Sequence, residues 1–161
     1  MDVALTLCTG ILLNLIYFLS LSIFVPDSHR AYYIQDRRDW VSIAAPLLYH
    51  GILLTWLFGG TPPAPSGNAV VGTVAYLAGM GLTVWAQRVN PYFAPTVKLP
   101  ADIVEAGPYR FTNHPGYIGF GLMSGGMLVI AATFWGVVCT GAYWTILLLR
   151  AFEEDRLLRR R

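Results

Sequence analysis

The chain has 161 residues, of which 55% are hydrophobic and only 12% are charged. Soluble proteins carry charge on roughly 25% of their residues, so this composition and the mean hydropathy of +0.53 exclude an ordinary soluble protein and indicate one integral membrane domain. The net charge of +2 is too small to suggest a nucleic-acid partner.

Residues 1–86 are predicted to form a scaffold of three membrane-spanning helices. The apolar runs at residues 4–25, 40–58 and 68–86 are each close to the roughly 20 residues that a spanning helix needs. A Pro/Gly linker at residues 59–67 cannot continue the second helix. Glycines in the third helix should allow another helix to approach closely. They are Gly72, Gly79 and Gly81.

Residues 87–161 are predicted to contain a cofactor-binding loop, a helix hairpin and a tail. Four prolines interrupt the polar connection at residues 87–113, and a loop of this length is usually functional. The apolar segments at residues 115–132 and 134–149 are short for full spans, and the second is predicted to continue as a cytoplasmic helix to residue 158. The sequence thus predicts an all-α fold with about five transmembrane helices.

The distribution of basic residues predicts the orientation of these spans. With five spans, all 11 Lys and Arg residues fall in the first connection, the third connection and the C-terminal tail, on one side of the membrane. The positive-inside rule then places the N-terminus outside and the C-terminus in the cytoplasm. The polar stretch at residues 104–119 should lie on the cytoplasmic side as well.

That polar stretch is where the residues alone suggest chemistry. Arg110 and His114 contribute charge and a titratable ring, and Pro115 suits the first turn of a helix whose free N–H groups could hold an anion. His50, in the middle of the second span, is a second candidate, although a hydrogen bond between helices accounts for it as well. The two cysteines, Cys8 and Cys139, are interpreted as apolar fillers, with no disulfide and no metal-ligand spacing.

Two spaced motifs carry a family resemblance. The segments Gly107-Pro-Tyr-Arg110 and Asn113-His-Pro-Gly-Tyr-Ile-Gly119, followed by Arg150 and the pair Glu153-Glu154, resemble the isoprenylcysteine carboxyl methyltransferase family and its phospholipid methyltransferase relatives. The resemblance covers roughly residues 98–158. It implies a small helical membrane enzyme that takes S-adenosylmethionine from the cytosol and methylates a lipophilic or prenylated acceptor that enters from the bilayer.

The resemblance also implies roles for individual residues and no metal. The residues expected to bind the cofactor are Gly107, Tyr109, His114, Pro115, Tyr117, Gly119, Glu153 and Glu154. The residues expected to act in catalysis are Arg110, Asn113, Arg150 and Glu154. The cofactor carries a carboxylate, an ammonium and a sulfonium, so its site needs a cationic or N–H-rich patch together with a carboxylate.

One residue departs from the family pattern. Asn113 stands where the family usually has an arginine before His-Pro. Asparagine cannot neutralise a carboxylate, so either Arg110 or Arg150 substitutes, or the acceptor is not a carboxylate. The acceptor is therefore left open between an isoprenylcysteine-like carboxylate and a lipid amine or thiol.

Several of these residues fit a purely structural role equally well. Gly119 could serve helix packing as readily as a cofactor, and the carboxylates at residues 153–155 could form a solvated helix face, of which at most two can enter a site. The alternatives for the whole protein are a membrane reductase or isomerase with haem on His114 or His50, and a non-enzymatic scaffold. The oligomeric state is not indicated by the sequence.

Overall fold

The computed structural model describes residues 66–91, 93, 103–130 and 133–159, and residues 12, 15, 16, 19, 23 and 24 of the first predicted span. Three α-helices and one short 3₁₀ helix make up the longer ranges. They are α1 (Ser66–Val89), the 3₁₀ helix (Gly107–Arg110), α2 (Pro115–Ile130) and α3 (Phe134–Leu158). These ranges contain no strand, and the six N-terminal residues are helical. The second predicted span, with His50, and Cys8 lie outside the described residues.

The helices agree with the predicted segments. The predicted third span at residues 68–86 is α1, which continues three residues further, to Val89. The predicted helical extension of the last segment to residue 158 is confirmed, because α3 continues without a break to Leu158. Among the described residues, two stretches, Gly67–Val89 and Phe134–Arg156, are long and apolar enough to cross a membrane, and Pro115–Ile130 is a shorter apolar helix. The last segment, predicted at residues 134–149 to be short for a full span, is therefore longer than predicted. The count of five helices and the membrane hairpin stay predictions.

Local sequence signals determine where α2 and α3 begin. Pro115 is the first residue of α2, a position at which a backbone N–H has no acceptor within the helix, so the N–H that proline lacks is not needed. Thr133 precedes α3, and its Oγ1 accepts a hydrogen bond of 2.8 Å from the backbone N–H of Gly136, which caps the helix. The start of α2 is therefore fixed directly after His114.

Glycines spaced seven residues apart bring α1 and α2 into backbone contact. A Cβ atom on Gly72 would lie 2.5 Å from the carbonyl oxygen of Gly126, and one on Gly79 would lie 2.5 Å from that of Gly119. The pairs run in opposite order along the two helices, so α1 and α2 are antiparallel. Seven residues are about two helical turns, so each glycine pair recurs on the same face.

Other glycines take no part in this contact. A Cβ atom on Gly81 or on Gly121 would meet nothing within 4 Å, and one on Gly125 would meet Trp144 of α3. The prediction that glycines of the third span allow close approach is therefore confirmed for Gly72 and Gly79 and wrong for Gly81.

Helix α3 packs on α2 through larger side chains. Tyr143 and Leu147 are buried in a cluster that includes Phe120 of α2 and Cys139. Trp144 donates a hydrogen bond of 2.8 Å from Nε1 to Ser124 Oγ. Cys139 is a free thiol within this apolar packing, in agreement with its predicted role as a filler.

The close backbone approach gives a matched pair of variants. Gly79→Ala should lower the free energy of unfolding by about 1–3 kcal/mol, because the atoms that the new Cβ meets belong to the α2 backbone and to the Cβ of Leu122. Gly81→Ala adds the same methyl group to open space and should be neutral or stabilising by up to about 1 kcal/mol. Thermal unfolding in detergent compares the two, and equal effects would contradict the packing described.

Candidate functional site

Four charged or titratable side chains meet where the start of α2 faces the last turns of α3. His114 directly precedes α2, and Arg150, Glu154 and Asp155 belong to α3. We call these four residues and Tyr117 the polar cluster. Arg150 and Glu154 are four residues apart and so lie on the same face of α3.

His114 lies between two carboxylates. Its Nε2 is 3.0 Å from Asp155 Oδ1, and its Nδ1 is 3.4 Å from Glu154 Oε2. The histidine side chain is 16% exposed. Since both ring nitrogens face carboxylate oxygens, both contacts are satisfied together only when the ring carries both protons.

Tyr117 connects the histidine to the arginine. Its hydroxyl donates a short hydrogen bond to Glu154 Oε1, and its ring stacks on that of His114 with centroids 5.5 Å apart. The guanidinium carbon of Arg150 lies 5.8 Å from the centroid of the same ring, and Arg150 is buried. The phenol ring is therefore flanked by two potentially cationic groups, while its hydroxyl contacts an anion.

Tyr109 joins the end of α1 to this region. Its hydroxyl accepts a hydrogen bond of 3.0 Å from Asn90 Nδ2, directly after α1. Burial raises the pKa of Tyr109 to about 12, with the Asn90 hydrogen bond acting against it and the negative charge of Glu154 adding to it. Tyr109 is thus a neutral phenol close enough to feel the charge of the polar cluster.

Gly107 is required by the turn that leads to Tyr109. Its φ of +57° lies in the left-handed region, which glycine adopts without strain. A Cβ atom there would also lie 3.0 Å from Val89 and 3.1 Å from Trp85 of α1. Gly107 therefore supports the site through backbone geometry.

Gly119 faces the packing against α1, and Pro115 is buried at the start of α2. Both are buried, and a Cβ atom on Gly119 would meet Thr83 Oγ1 and the Gly79 carbonyl of α1. A role of Gly119 in helix packing thus has direct structural support. The cofactor-binding roles predicted for both residues stay predictions.

Three other predicted site residues lie outside the polar cluster. Arg110 and Asn113 are exposed on the segment before α2. Glu153 is also exposed, and its nearest ionic partner is Arg156, with Oε2 4.0 Å from Nη1. Their predicted roles in catalysis or cofactor binding are not supported by contacts with the polar cluster.

Asp155, which the sequence did not single out, contacts His114 together with Glu154, whereas Glu153 does not. Successive residues on a helix are turned by about 100°, so only two of three neighbouring side chains can face one partner. The two that face His114 are Glu154 and Asp155, one at each ring nitrogen. The order of these acidic residues gives no sign of which pair faces inward, because that depends on the rotation of α3 about its axis.

The carboxylates decide the protonation of His114. Burial is the largest influence and lowers its pKa, but the hydrogen bonds and charges of Glu154 and Asp155 together outweigh burial and raise the pKa above its ordinary value. With His114 protonated, two cations face two anions and the polar cluster is neutral. With His114 neutral, it carries one net negative charge.

Comparison with known proteins gives one family. The sequence model of the phospholipid methyltransferase family matches residues 68–161, which is more than half of the chain and includes every residue of the polar cluster. No curated protein and no solved structure is significantly similar to the chain.

The raised pKa of His114 predicts how stability depends on pH. Because the pKa of His114 is higher in the folded state, its protonated ring stabilises the fold fully below the ordinary histidine pKa of about 6.5. This stabilisation is lost as the pH rises through the raised pKa. The difference in melting temperature between wild type and His114→Asn should therefore shrink as the pH increases from about 6 to 9. A difference in melting temperature that stays constant over that pH range would contradict the contacts of His114 with Glu154 and Asp155.

Proposed function

The chain belongs to the phospholipid methyltransferase family and is thus a membrane methyltransferase, and we propose that it transfers methyl groups from S-adenosylmethionine to a lipophilic acceptor at the membrane. The observation that carries this proposal is the polar cluster. It combines a buried guanidinium, two carboxylates, an imidazole and a phenol between otherwise apolar helices.

The polar cluster fits the amino-acid end of this cofactor. Arg150 offers a planar guanidinium that suits a carboxylate, and Glu154 offers a carboxylate oxygen that suits an ammonium group. We assign the sulfonium to the ring of Tyr109 through cation–π attraction, because the ring of Tyr117 is already flanked by His114 and Arg150. Each of the three charged groups of the cofactor thus has one side chain of suitable chemistry.

Burial makes these interactions strong. Arg150 is only 6% exposed, and a charge–charge attraction grows as water is excluded from around it. Tyr117 fixes the carboxylate of Glu154 through its hydroxyl, while Asp155 holds the ring of His114. The binding groups are therefore held in position by their neighbours, which lowers the conformational entropy that binding would otherwise lose.

The cofactor supplies a methyl group on a positively charged sulfur, so the residues around it need chiefly to orient the acceptor and exclude water. A carboxylate acceptor is ionised at neutral pH and needs no base. An amine or thiol acceptor must lose a proton, for which His114 and Glu154 are the available bases. His114 accepts that proton only in its neutral form.

Arg150 is the residue that we propose replaces the arginine missing at position 113. Arg150 lies within the polar cluster, whereas Arg110 and Asn113 are exposed. One arginine serving both cofactor and acceptor would leave little positive charge for an acceptor carboxylate. A lipid amine or thiol is therefore as suitable an acceptor as an isoprenylcysteine-like carboxylate.

The positions of the basic residues support a multi-pass protein with the polar cluster on the cytoplasmic side. Because α1 and α2 are antiparallel, the end of α1 and the start of α2 lie on the same side, and contacts with His114 bring the end of α3 there too. The basic residues at these ends are Arg88, Arg110, Arg150, Arg156 and Arg159. The positive-inside rule assigns that end to the cytoplasm and the N-terminus to the outside.

Cofactor binding by neighbouring carboxylate variants tests the proposal. We expect the purified protein to bind S-adenosylhomocysteine, and Glu154→Gln to weaken binding by about ten- to a hundredfold through the loss of a charge-assisted hydrogen bond. Glu153→Gln removes the adjacent, exposed carboxylate and should leave affinity unchanged. Calorimetric titration measures both.

Two results would overturn the proposal. One is the absence of binding of S-adenosylmethionine and S-adenosylhomocysteine by folded wild-type protein. The other is equal weakening by Glu154→Gln and Glu153→Gln, which would place the cofactor elsewhere. Once binding is established, transfer of labelled methyl groups to prenyl-cysteine analogues, aminophospholipids and lipid thiols identifies the acceptor class.

A further inference from the structure

A groove lies on α1, away from the polar cluster. It has a volume of about 240 Å³ and is lined by Phe24 of the first predicted span and by residues of α1. The α1 residues are Met80, Gly81, Val84, Trp85 and Arg88. At 100° per residue, these side chains point to the side of α1 opposite Gly79 and Thr83, which contact α2.

Among the described residues, the lining is apolar along its length and cationic at one end. Phe24, Met80 and Val84 give hydrocarbon walls, and Gly81 opens the floor because a Cβ atom there would meet nothing within 4 Å. Arg88, in the last turn of α1, is exposed, and no carboxylate in the described part of the chain forms an ion pair with it. The groove therefore has an apolar body and an available positive charge at the end.

These features match a phospholipid in shape and charge. In a membrane protein, an exposed apolar groove beside a spanning helix faces acyl chains, and Trp85 and Arg88 are the residue types that favour the headgroup level. An acyl chain on Gly81 and an anionic headgroup at Arg88 would satisfy both parts of the groove.

We propose that this groove binds one anionic phospholipid, with an acyl chain between Phe24 and Met80 and the phosphate at Arg88. The site is separate from the proposed methyl-transfer site, since it lies on the other side of α1. Trp85 connects it to the turn before α2, because a Cβ atom on Gly107 would lie 3.1 Å from Trp85 Nε1. Trp85 thus lies between a lipid in the groove and the turn that carries Tyr109.

Tryptophan quenching by brominated lipids tests the proposal without methyl transfer or cofactor. The full chain is reconstituted in phosphatidylcholine vesicles containing increasing fractions of phosphatidylglycerol brominated on its acyl chains. The signal of Trp85 is the difference between wild type and Trp85→Phe. We expect quenching of Trp85 to favour the anionic lipid over brominated phosphatidylcholine by about fivefold, the preference that one cation near the surface provides.

Two variants locate the site, and one more serves as a control. Gly81→Leu fills the groove and should reduce quenching of Trp85 to the level set by the bulk lipid. Arg88→Gln should make brominated phosphatidylglycerol and brominated phosphatidylcholine quench Trp85 equally. Gly141→Leu makes the same change on α3, where a Cβ atom would also meet nothing within 4 Å. Quenching of Trp85 in this variant should equal that in wild type.

The outcomes separate the proposal from its alternatives. If quenching of Trp85 in wild type depends only on the fraction of brominated lipid in the vesicle, and not on the headgroup, the proposal is overturned. That result shows ordinary contact with the bilayer. Equal behaviour of Gly81→Leu and Gly141→Leu would also overturn it. Neither result depends on whether the protein binds S-adenosylmethionine, so failure here leaves the proposed methyltransferase function untouched.

Discussion

The backbone contact between α1 and α2 is the constraint on which the rest of the described structure depends. Gly72 against Gly126 and Gly79 against Gly119 bring two main chains together, which side chains at these positions would prevent. Within a membrane, apolar burial does not favour helix association over contact with lipid, so such close packing is a principal source of stability. It also holds the start of α2 beside the end of α1.

That position assembles the polar cluster. With α2 fixed, His114 and Tyr117 face α3, and Glu154 and Asp155 meet them from the other side. Charges at the edge of an apolar helix pair are stable only when they are paired, and here two anions face an arginine and a histidine. The same pairing makes the charge of the site depend on a single proton on His114.

Much of this arrangement was predictable from the sequence. Apolar length identified α1 as a span and Pro115 marked the start of α2, whereas the apolar part of α3 was predicted to be shorter than the stretch that reaches Arg156. The spacing of His114, Tyr117 and Glu154 led to the family and to three members of the polar cluster. Arg150 was one of two arginines, with Arg110, that could substitute for the arginine missing at position 113. The helices and the family could be predicted because apolar length, proline geometry and short motifs are local properties of the chain.

The remaining features depend on how helices rotate against one another. Asp155 faces His114 and Glu153 does not, although both adjoin Glu154. Gly81 and Gly79 are two residues apart, yet only Gly79 contacts α2, while Gly81 opens a groove on the far side. No local pattern decides these cases, because rotation about a helix axis is set by the partner helix.

The most direct test of the central claim, that the polar cluster holds the amino-acid end of the cofactor, compares two ligands by calorimetry. S-adenosylhomocysteine and 5′-methylthioadenosine share the adenosyl thioether, but only the first has the ammonium and carboxylate groups. Wild type should bind S-adenosylhomocysteine at least about tenfold more tightly, and Arg150→Met should remove most of that difference. Equal affinities for the two ligands in wild type, or an unchanged difference in Arg150→Met, would contradict the account.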